Sequence, residues 1–356
     1  AAYCLQQLTA SLGDNISVEG LSIDSTSGTL VTIDKDGNPL HPAIMYNDNR
    51  GAPYVDQIKQ AARSLQKQLG YSFKASFALP KILWLAKERP NIFKHTYKLI
   101  SETDFLTGKL SGSFQRSDYS NMLKFGYDVM NMRWPDFIQA ELGIPLSLLN
   151  QVVSPGTIVS NISAQAAALT GLPSGTPIIA GATDGTAALF SSGAVEVGAW
   201  NSALGSTLVL KGISDHILID PQQRIYCHRH PEGWWMPGGA SNTGAEWISE
   251  QHPDADLEAL NQKAREVVPT SLLRYPLLQV GERFPFSDDQ AKGFLLGDPN
   301  DEIEAFAAGM EGVAFLEKLA YDTLAVIGAP IRDFIYITGG GSRSELWSTI
   351  RASVLN

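Results

Sequence analysis

Residues 18–33 alternate apolar and small polar side chains around Ser25-Thr26-Ser27-Gly28, and Asp36-Gly37-Asn38-Pro39 follows as a turn. That pattern predicts two strands of a hairpin. Residues 43–46 form another short apolar run that ends in Asn47-Asp48-Asn49-Arg50, after which Pro53 opens a helix. Ile82, Leu85 and Ala86 lie at helical spacing within 80–88. A helix beginning at Pro135 is expected to stop at Gly143, and Ser163 is placed to cap a helix through Leu169. Residues 177–181 read as a buried strand, followed by Thr183-Asp184-Gly185-Thr186 and then helix. The second half continues in the same style. Residues 199–210, 224–236 and 335–338 read as strands, and 254–267, 302–327 and the segment from Ser344 as helices. Strands and helices alternate throughout, so the class is α/β. A chain of 356 residues is long for one core and predicts two domains, 1–192 and 193–356.

Charge narrows the partners. The net charge is −10, and no basic cluster interrupts it. Nucleic acid and anionic membrane are therefore poor partners, and an anionic ligand would need backbone N–H groups, helix N-termini or a metal ion. Two cysteines, Cys4 and Cys227, fit a reducing compartment and exclude a disulfide scaffold. Cys227-His228-Arg229-His230 reads as alternation in a strand, since no second Cys/His pair has zinc-type spacing. No apolar run has membrane-spanning length, and no basic stretch leads into an apolar one near the start. The expected location is the cytoplasm, or the plastid stroma for a plant protein.

Several chemistries are missing from the sequence. Gly108-Lys109 is followed by Leu110 and lacks the upstream glycine of a P-loop, and there is no G-x-G-x-x-G, G-x-S-x-G or H-E-x-x-H. Four features remain. Gly181-Ala182-Thr183-Asp184-Gly185-Thr186 places one carboxylate at the C-terminal end of a buried strand, where α/β ligand sites lie, although a lone Asp there also serves to cap the next helix. Gly205-Ser206-Thr207 offers N–H and hydroxyl donors to phosphate, or is an ordinary hairpin turn. Gly339-Gly340-Gly341, between an apolar strand and a helix, lets a flat ring or phosphate lie against backbone, or is a flexible loop; Trp347 is placed to flank an adenine. Ser25, Thr26 and Ser27 with Tyr46, Asp48 and Arg50 suit a polyhydroxy ligand, or are surface turn chemistry.

In this order the pieces resemble the FGGY family of carbohydrate kinases. Ser76-x-x-x-x-Lys81-x-x-Trp84-Leu85-x-Lys87-Glu88 resembles its first signature, with Ala78 where Pro, Ser or Thr is usual. Asp118-Tyr119-Ser120-Asn121, Gly238 to Gly244, and Glu311-Gly312-Val313-Ala314-Phe315 resemble three further stretches. The resemblance implies a two-domain, actin-like (ribonuclease-H-like) ATPase fold with an interdomain cleft, whose closure excludes water. It implies Asp184 as catalytic base, and as an indirect partner of Mg²⁺. Thr26, Ser27, Tyr46, Asp48, Arg50, Asp184 and Gly185 would face the sugar. Gly205, Ser206 and Thr207 would hold phosphate, and Gly340, Gly341, Ser344 and Trp347 would line the adenine site, with ATP and Mg²⁺ as cofactors.

Relatives resembling xylulose kinases carry Gln-Met-His-Gly where this chain has Ser25-Thr26-Ser27-Gly28. The serine-rich version is more similar to the D-ribulose kinases of plants and cyanobacteria. The expected reaction is therefore ATP-dependent phosphorylation of a ketopentose, D-ribulose giving D-ribulose 5-phosphate, with D-xylulose as the alternative. The partners would be sugar and ATP, acting on a monomer or homodimer. The family's opening D-x-G-T/S phosphate loop has no counterpart in residues 1–20, where Asp14-Asn15-Ile16-Ser17 is too late and too polar. That reads as truncation at both ends and predicts reduced or no activity. It also leaves open a non-catalytic sugar- or nucleotide-binding protein of the same fold.

Overall fold

The computed structural model describes residues 1–13 and 15–356, so Asp14 of the stretch just discussed lies outside it. The chain divides into two compact units: residues 1–188 with 231–233, and residues 189–230 with 234–356.

In the first unit, strand Leu21–Ser22 runs parallel to Pro177–Ile179, which is antiparallel to Ile158–Asn161. Val18, Leu21 and Ile23 pack against Leu110, Ile162, Leu172 and Ile178. The expected hairpin over 18–33 does not form. Val31–Ile33 pairs instead with Lys98–Ile100, and Leu30 bridges to Ile44. All three residues of Val31–Ile33 are buried, so this strand needs neighbours on both faces, which an isolated hairpin cannot supply. The turn at 36–39 does form: the Asp34 carboxylate accepts from the backbone N–H groups of Asp36 and Asn38. Helix Ala78–Glu88 buries Leu79, Ile82, Leu83 and Leu85. Ser163 caps helix Ala164–Thr170 as expected, accepting from Ala166 N at 3.2 Å. The helix expected from Pro135 is only Phe137–Ala140.

The second unit is built on a five-stranded sheet in the order Tyr226–Arg229, Trp235–Ala240, Leu208–Gly212, Trp200–Leu204, Tyr336–Thr338. The first four strands are antiparallel, and the last runs parallel to Trp200–Leu204. The apolar run 199–210 forms two antiparallel strands joined by the turn at 205–207, as the sequence suggests. Helix Glu302–Ile327 forms over the expected span, with Asp301 as N-cap and Gly328 in the left-handed region at its end. Its glycines let backbone approach: a Cβ on Gly312 would stand 1.8 Å from the Arg274 carbonyl oxygen. The adjacent Glu311 carboxylate accepts from Thr270 N and Thr270 Oγ1. Among the described residues, no helix is long and apolar enough to cross a membrane.

Candidate active site

Asp184 opens helix Asp184–Ser191, just beyond strand Pro177–Ile179. The acidic side chain is favoured in that first turn by the helix dipole. Its carboxylate is exposed, and Oδ1 accepts from Gly185 N at 2.7 Å. The residue before the helix is Thr183, which is buried and bonded to Ser120 and Thr186. Asp184 is thus the first residue of the helix: one carboxylate oxygen accepts a first-turn N–H, and the side chain is exposed at the strand's C-terminal end.

The hydroxyl loop lies against this turn. Ser25 forms a parallel bridge with Thr183 and accepts the Asp184 N–H on its carbonyl at 2.8 Å. Backbone pairing thus sets the start of the Ser25-Thr26-Ser27 loop beside the backbone of Thr183 and Asp184. Ser25 Oγ lies 2.5 Å from Thr103 Oγ1, and Thr26 Oγ1 donates to Glu102 Oε1 at 2.7 Å. Gly28 adopts φ +91°, which only glycine takes without strain.

Lys81 ties the loop to its surroundings. Its side chain is fully buried, and Nζ donates to the carbonyls of Gly28 at 2.8 Å, Ser76 at 3.0 Å and Tyr46 at 3.4 Å. Burial, reinforced by the charge of Lys124, pushes the Lys81 ammonium down to about 8. The stretch from Ser76 to Lys81 is thus a fastening between three segments.

Tyr46 is exposed, whereas Arg50 and Asp48 are occupied with one another. Arg50 Nη2 meets Asp48 Oδ2 at 2.6 Å, and the guanidinium lies 4.8 Å over the Trp84 ring. The Arg50 hydrogen bond holds the Asp48 carboxyl below its ordinary range. Arg50 braces this loop, and Tyr46 is the freer of the two side chains.

The residues that the resemblance assigns to the nucleotide lie within the second unit. Pairing of Thr338 with Ala203 puts the ends of Tyr336–Thr338 and Trp200–Leu204 side by side. The glycine loop and the Gly205-Ser206-Thr207 turn therefore leave the sheet at the same end, the C-terminal end of these two parallel strands. Gly339 has φ +85°, and a Cβ there would stand 2.4 Å from Leu204 O. Around Gly340 the space is open. Gly244 packs on the turn from behind, where a Cβ would meet Ser206 O at 2.5 Å. Ser344 caps helix Glu345–Leu355, accepting from Trp347 N at 3.1 Å. Gly340, Gly341, Ser344 and Trp347 line a cavity of about 510 Å³ together with Phe306 and Asn261. Trp347 is only 2% exposed, and its Nε1 donates to Met310 O at 2.9 Å, so it reaches the cavity as part of a wall and not as a free stacking platform.

Three residues of this arrangement were missed in the sequence. Lys81 has no role in the sequence pattern beyond its place in the Ser76–Glu88 stretch, and Glu102 and Thr103 belong to none of its motifs. Their signal was available: Ser101 and Asp104 form a capping box, which marks Glu102 and Thr103 as the first turn of helix Glu102–Ser111.

Residues 1–191 match the N-terminal domain of the FGGY family of carbohydrate kinases, and residues 202–356 match its C-terminal domain. A gluconokinase of Bacillus licheniformis is 26% identical over 358 residues, covering 94% of this chain and 69% of that protein. A xylulose kinase of Escherichia coli strain K12 is 24% identical over 360 residues, covering 96% and 72%. In structure, a xylulose kinase from Rhodospirillum rubrum superimposes with TM-score 0.86 at 24% identity, over 99% of this chain and 73% of its own. Plasmodium falciparum glycerol kinase with ADP gives 0.87 at 17%, over 100% and 74%. The fold is the two-domain, actin-like ATPase fold of these sugar kinases. With both domain models matched in order along a chain of this fold, the protein belongs to the FGGY family of carbohydrate kinases, which transfer a phosphoryl group from ATP to a sugar hydroxyl.

Proposed function

We propose that this kinase phosphorylates a ketopentose, D-ribulose before D-xylulose, with Asp184 as general base. The observation that carries the reading is the backbone pairing of Ser25 with Thr183 and Asp184, which sets an exposed carboxylate beside a hydroxyl-bearing loop. Asp184 takes the proton of the attacking sugar hydroxyl as its oxygen bonds to the γ-phosphorus and the bond to the β-phosphate oxygen breaks, leaving ADP. Thr26, Ser27 and Tyr46 orient the sugar, while Asp48 and Arg50 brace the wall. Gly205, Ser206 and Thr207 hold phosphate, and Gly340, Gly341, Ser344 and Trp347 enclose the base of the nucleotide.

Magnesium fits the donor set. A hard cation carried by ATP phosphates and water needs only one or two carboxylates, and Asp184 presents an exposed one. It would hold the ion through water, and the bound ion supplies charge neutralisation on the phosphates. D-ribulose is favoured by the Ser25-Thr26-Ser27-Gly28 loop, and D-xylulose by relatives named xylulose kinase.

A coupled ADP-release assay with D-ribulose, D-xylulose, L-ribulose and glycerol tests this reading, each with and without Asp184→Ala. Release on one ketopentose, lowered about 10²- to 10⁴-fold by the substitution, is expected. ATP binding with no sugar-dependent release would favour a non-catalytic sugar- or nucleotide-binding protein of this fold.

A further inference from the structure

Thr26 Oγ1 has one proton and gives it to Glu102 Oε1 at 2.7 Å. Its remaining neighbour is Thr29 Oγ1 at 3.5 Å, at the edge of hydrogen-bond range. Toward a ligand, Thr26 is therefore left with lone pairs only. Glu102 is itself an acceptor, and its Oε2 is buried without a hydrogen-bond partner among the described residues. The Ser101–Asp104 capping box fixes the backbone turn that carries Glu102, and the next residue, Thr103, is tied to Ser25. The nearby ammonium groups are occupied elsewhere: Lys81 on the carbonyls of Gly28, Ser76 and Tyr46, and Lys124 on that of Ser27 at 3.4 Å. Among the described residues neither forms an ion pair with Glu102, although the Glu102 charge acts on the Lys81 ammonium. Thr26 Oγ1 itself thus presents an acceptor and no proton, and a carboxylate stands one hydrogen bond behind.

We infer that Glu102 is a positioning residue that sets the specificity of the acceptor site: by fixing Thr26 as a hydrogen-bond acceptor, it makes this corner take a hydroxyl of a neutral polyhydroxy substrate and reject a carboxylate or carbonyl oxygen. The inference rests on the proposed placement of the sugar at Thr26. A hydroxyl offers Thr26 the proton it lacks. A carboxylate oxygen placed there meets an acceptor with nothing to share, and the Glu102 charge behind it. Sites built for one hydrogen-bond polarity discriminate strongly against the opposite one, because the mismatched groups are left unpaired. An aldonate such as gluconate, the substrate in the name of one similar structure, is thereby disfavoured against a ketopentose.

Calorimetric binding of D-ribulose, D-xylulose and gluconate to the wild type, Glu102→Gln, Thr26→Val and the double variant tests the assignment without requiring turnover. The wild type should bind its preferred ketopentose at least about tenfold more tightly than gluconate, the worth of one hydrogen bond to a charged group. Glu102→Gln, whose amide can donate where the carboxylate cannot, should erase most of that ratio. In turnover it should raise KM for the sugar and leave kcat within about threefold, the signature of lost uniform binding. Because Glu102 acts through Thr26, the double variant should lose no more than the worse single one. Thr26→Val gives the same ratio if Glu102→Gln does not fold. Equal wild-type affinity for gluconate, no binding of any of the three, an unchanged ratio in the variants, or additive losses would each overturn it. Binding of a ketopentose without phosphorylation would instead count against the kinase reading, and the binding ratio would still decide the role of Glu102.

Discussion

Gly28 and Ser76 touch so closely that a Cβ on Gly28 would stand 2.5 Å from the Ser76 carbonyl oxygen, the same oxygen that accepts from Lys81. The contact fastens the hydroxyl loop to the segment leading into helix Ala78–Glu88. Gly28→Ala adds that clash to a backbone at φ +91°. The expected cost is about 2 kcal/mol or more, because both strain and a displaced carbonyl contribute. Urea unfolding should show a lowered midpoint with an unchanged slope, and the sugar KM should rise while the KM for ATP holds. An equal rise in both would show that the loop does not serve the sugar side alone.

Gly244 plays the corresponding part behind the Gly205-Ser206-Thr207 turn. A Cβ there would lie 2.5 Å from Ser206 O and from Thr207 backbone atoms, none of which can rotate away. The turn is further held by Leu208 N donating to Thr243 O and Ala245 N to Gly205 O. Gly244→Ala should displace the turn's amides and weaken ATP by about tenfold or more, the effect of losing one or two charge-assisted hydrogen bonds. Steady-state kinetics should show the change in the KM for ATP, with the sugar KM unaffected.

Part of this architecture was legible because its signals are local. Helix Glu302–Ile327 declares itself through its capping aspartate, its long apolar period and its closing glycine. Asp184 stands out because small residues flank one carboxylate after an apolar strand. Strand partners were not legible: alternation over 18–33 gives faces, and Val31–Ile33 chose Lys98–Ile100, far along the chain. Lys81 was opaque for another reason, since its partners are backbone carbonyls and carbonyls have no residue identity. The burial of Trp347 was readable but overlooked. Leu346, Trp347 and Ile350 form a buried apolar stripe of helix Glu345–Leu355 at helical spacing, with Arg351 buried beside them against Glu317.

That stripe separates two roles for Trp347. A stacking platform loses nucleotide affinity when its ring is removed, whereas a wall residue loses stability. Trp347 is 2% exposed, its Nε1 is bonded to Met310 O, and its ring meets Trp247 edge-on at 6.4 Å. Trp347→Leu should therefore destabilise the fold by about 3 kcal/mol, through lost burial and the lost hydrogen bond to Met310 O. The Kd for ATP, measured well below the unfolding temperature, should rise less than about threefold. A rise beyond tenfold with stability intact would make the ring a stacking partner after all.

Asp104 and Asp118 give the first unit a pH dependence of its own. Burial pushes Asp104 up to about 7, with the charge of Asp118 adding to it, and burial pushes Asp118 up to about 6. In the unfolded chain a carboxyl returns to about 3.9. Between that value and about 7 the native state retains a proton on Asp104 that the unfolded state has lost. Stability from this group is therefore full below the unfolded value and declines as pH rises through the folded one. Asp104→Asn keeps an oxygen for Ser101 N, which now donates to Asp104 Oδ2 at 3.1 Å, and has no proton to lose. Carboxyls whose values are lowered, such as Asp48 and Asp220, act only below about pH 4 and leave this window clear. Urea unfolding of both proteins at pH 5, 6, 7 and 8 should show the wild type losing stability relative to Asp104→Asn as pH rises. The total should be on the order of a few kcal/mol, since each unit of pH over which one proton is differentially held contributes about 1.4 kcal/mol. A difference that stays constant across those four values would mean that Asp104 titrates alike in the folded and unfolded chain, and that its burial is compensated by its hydrogen bonds.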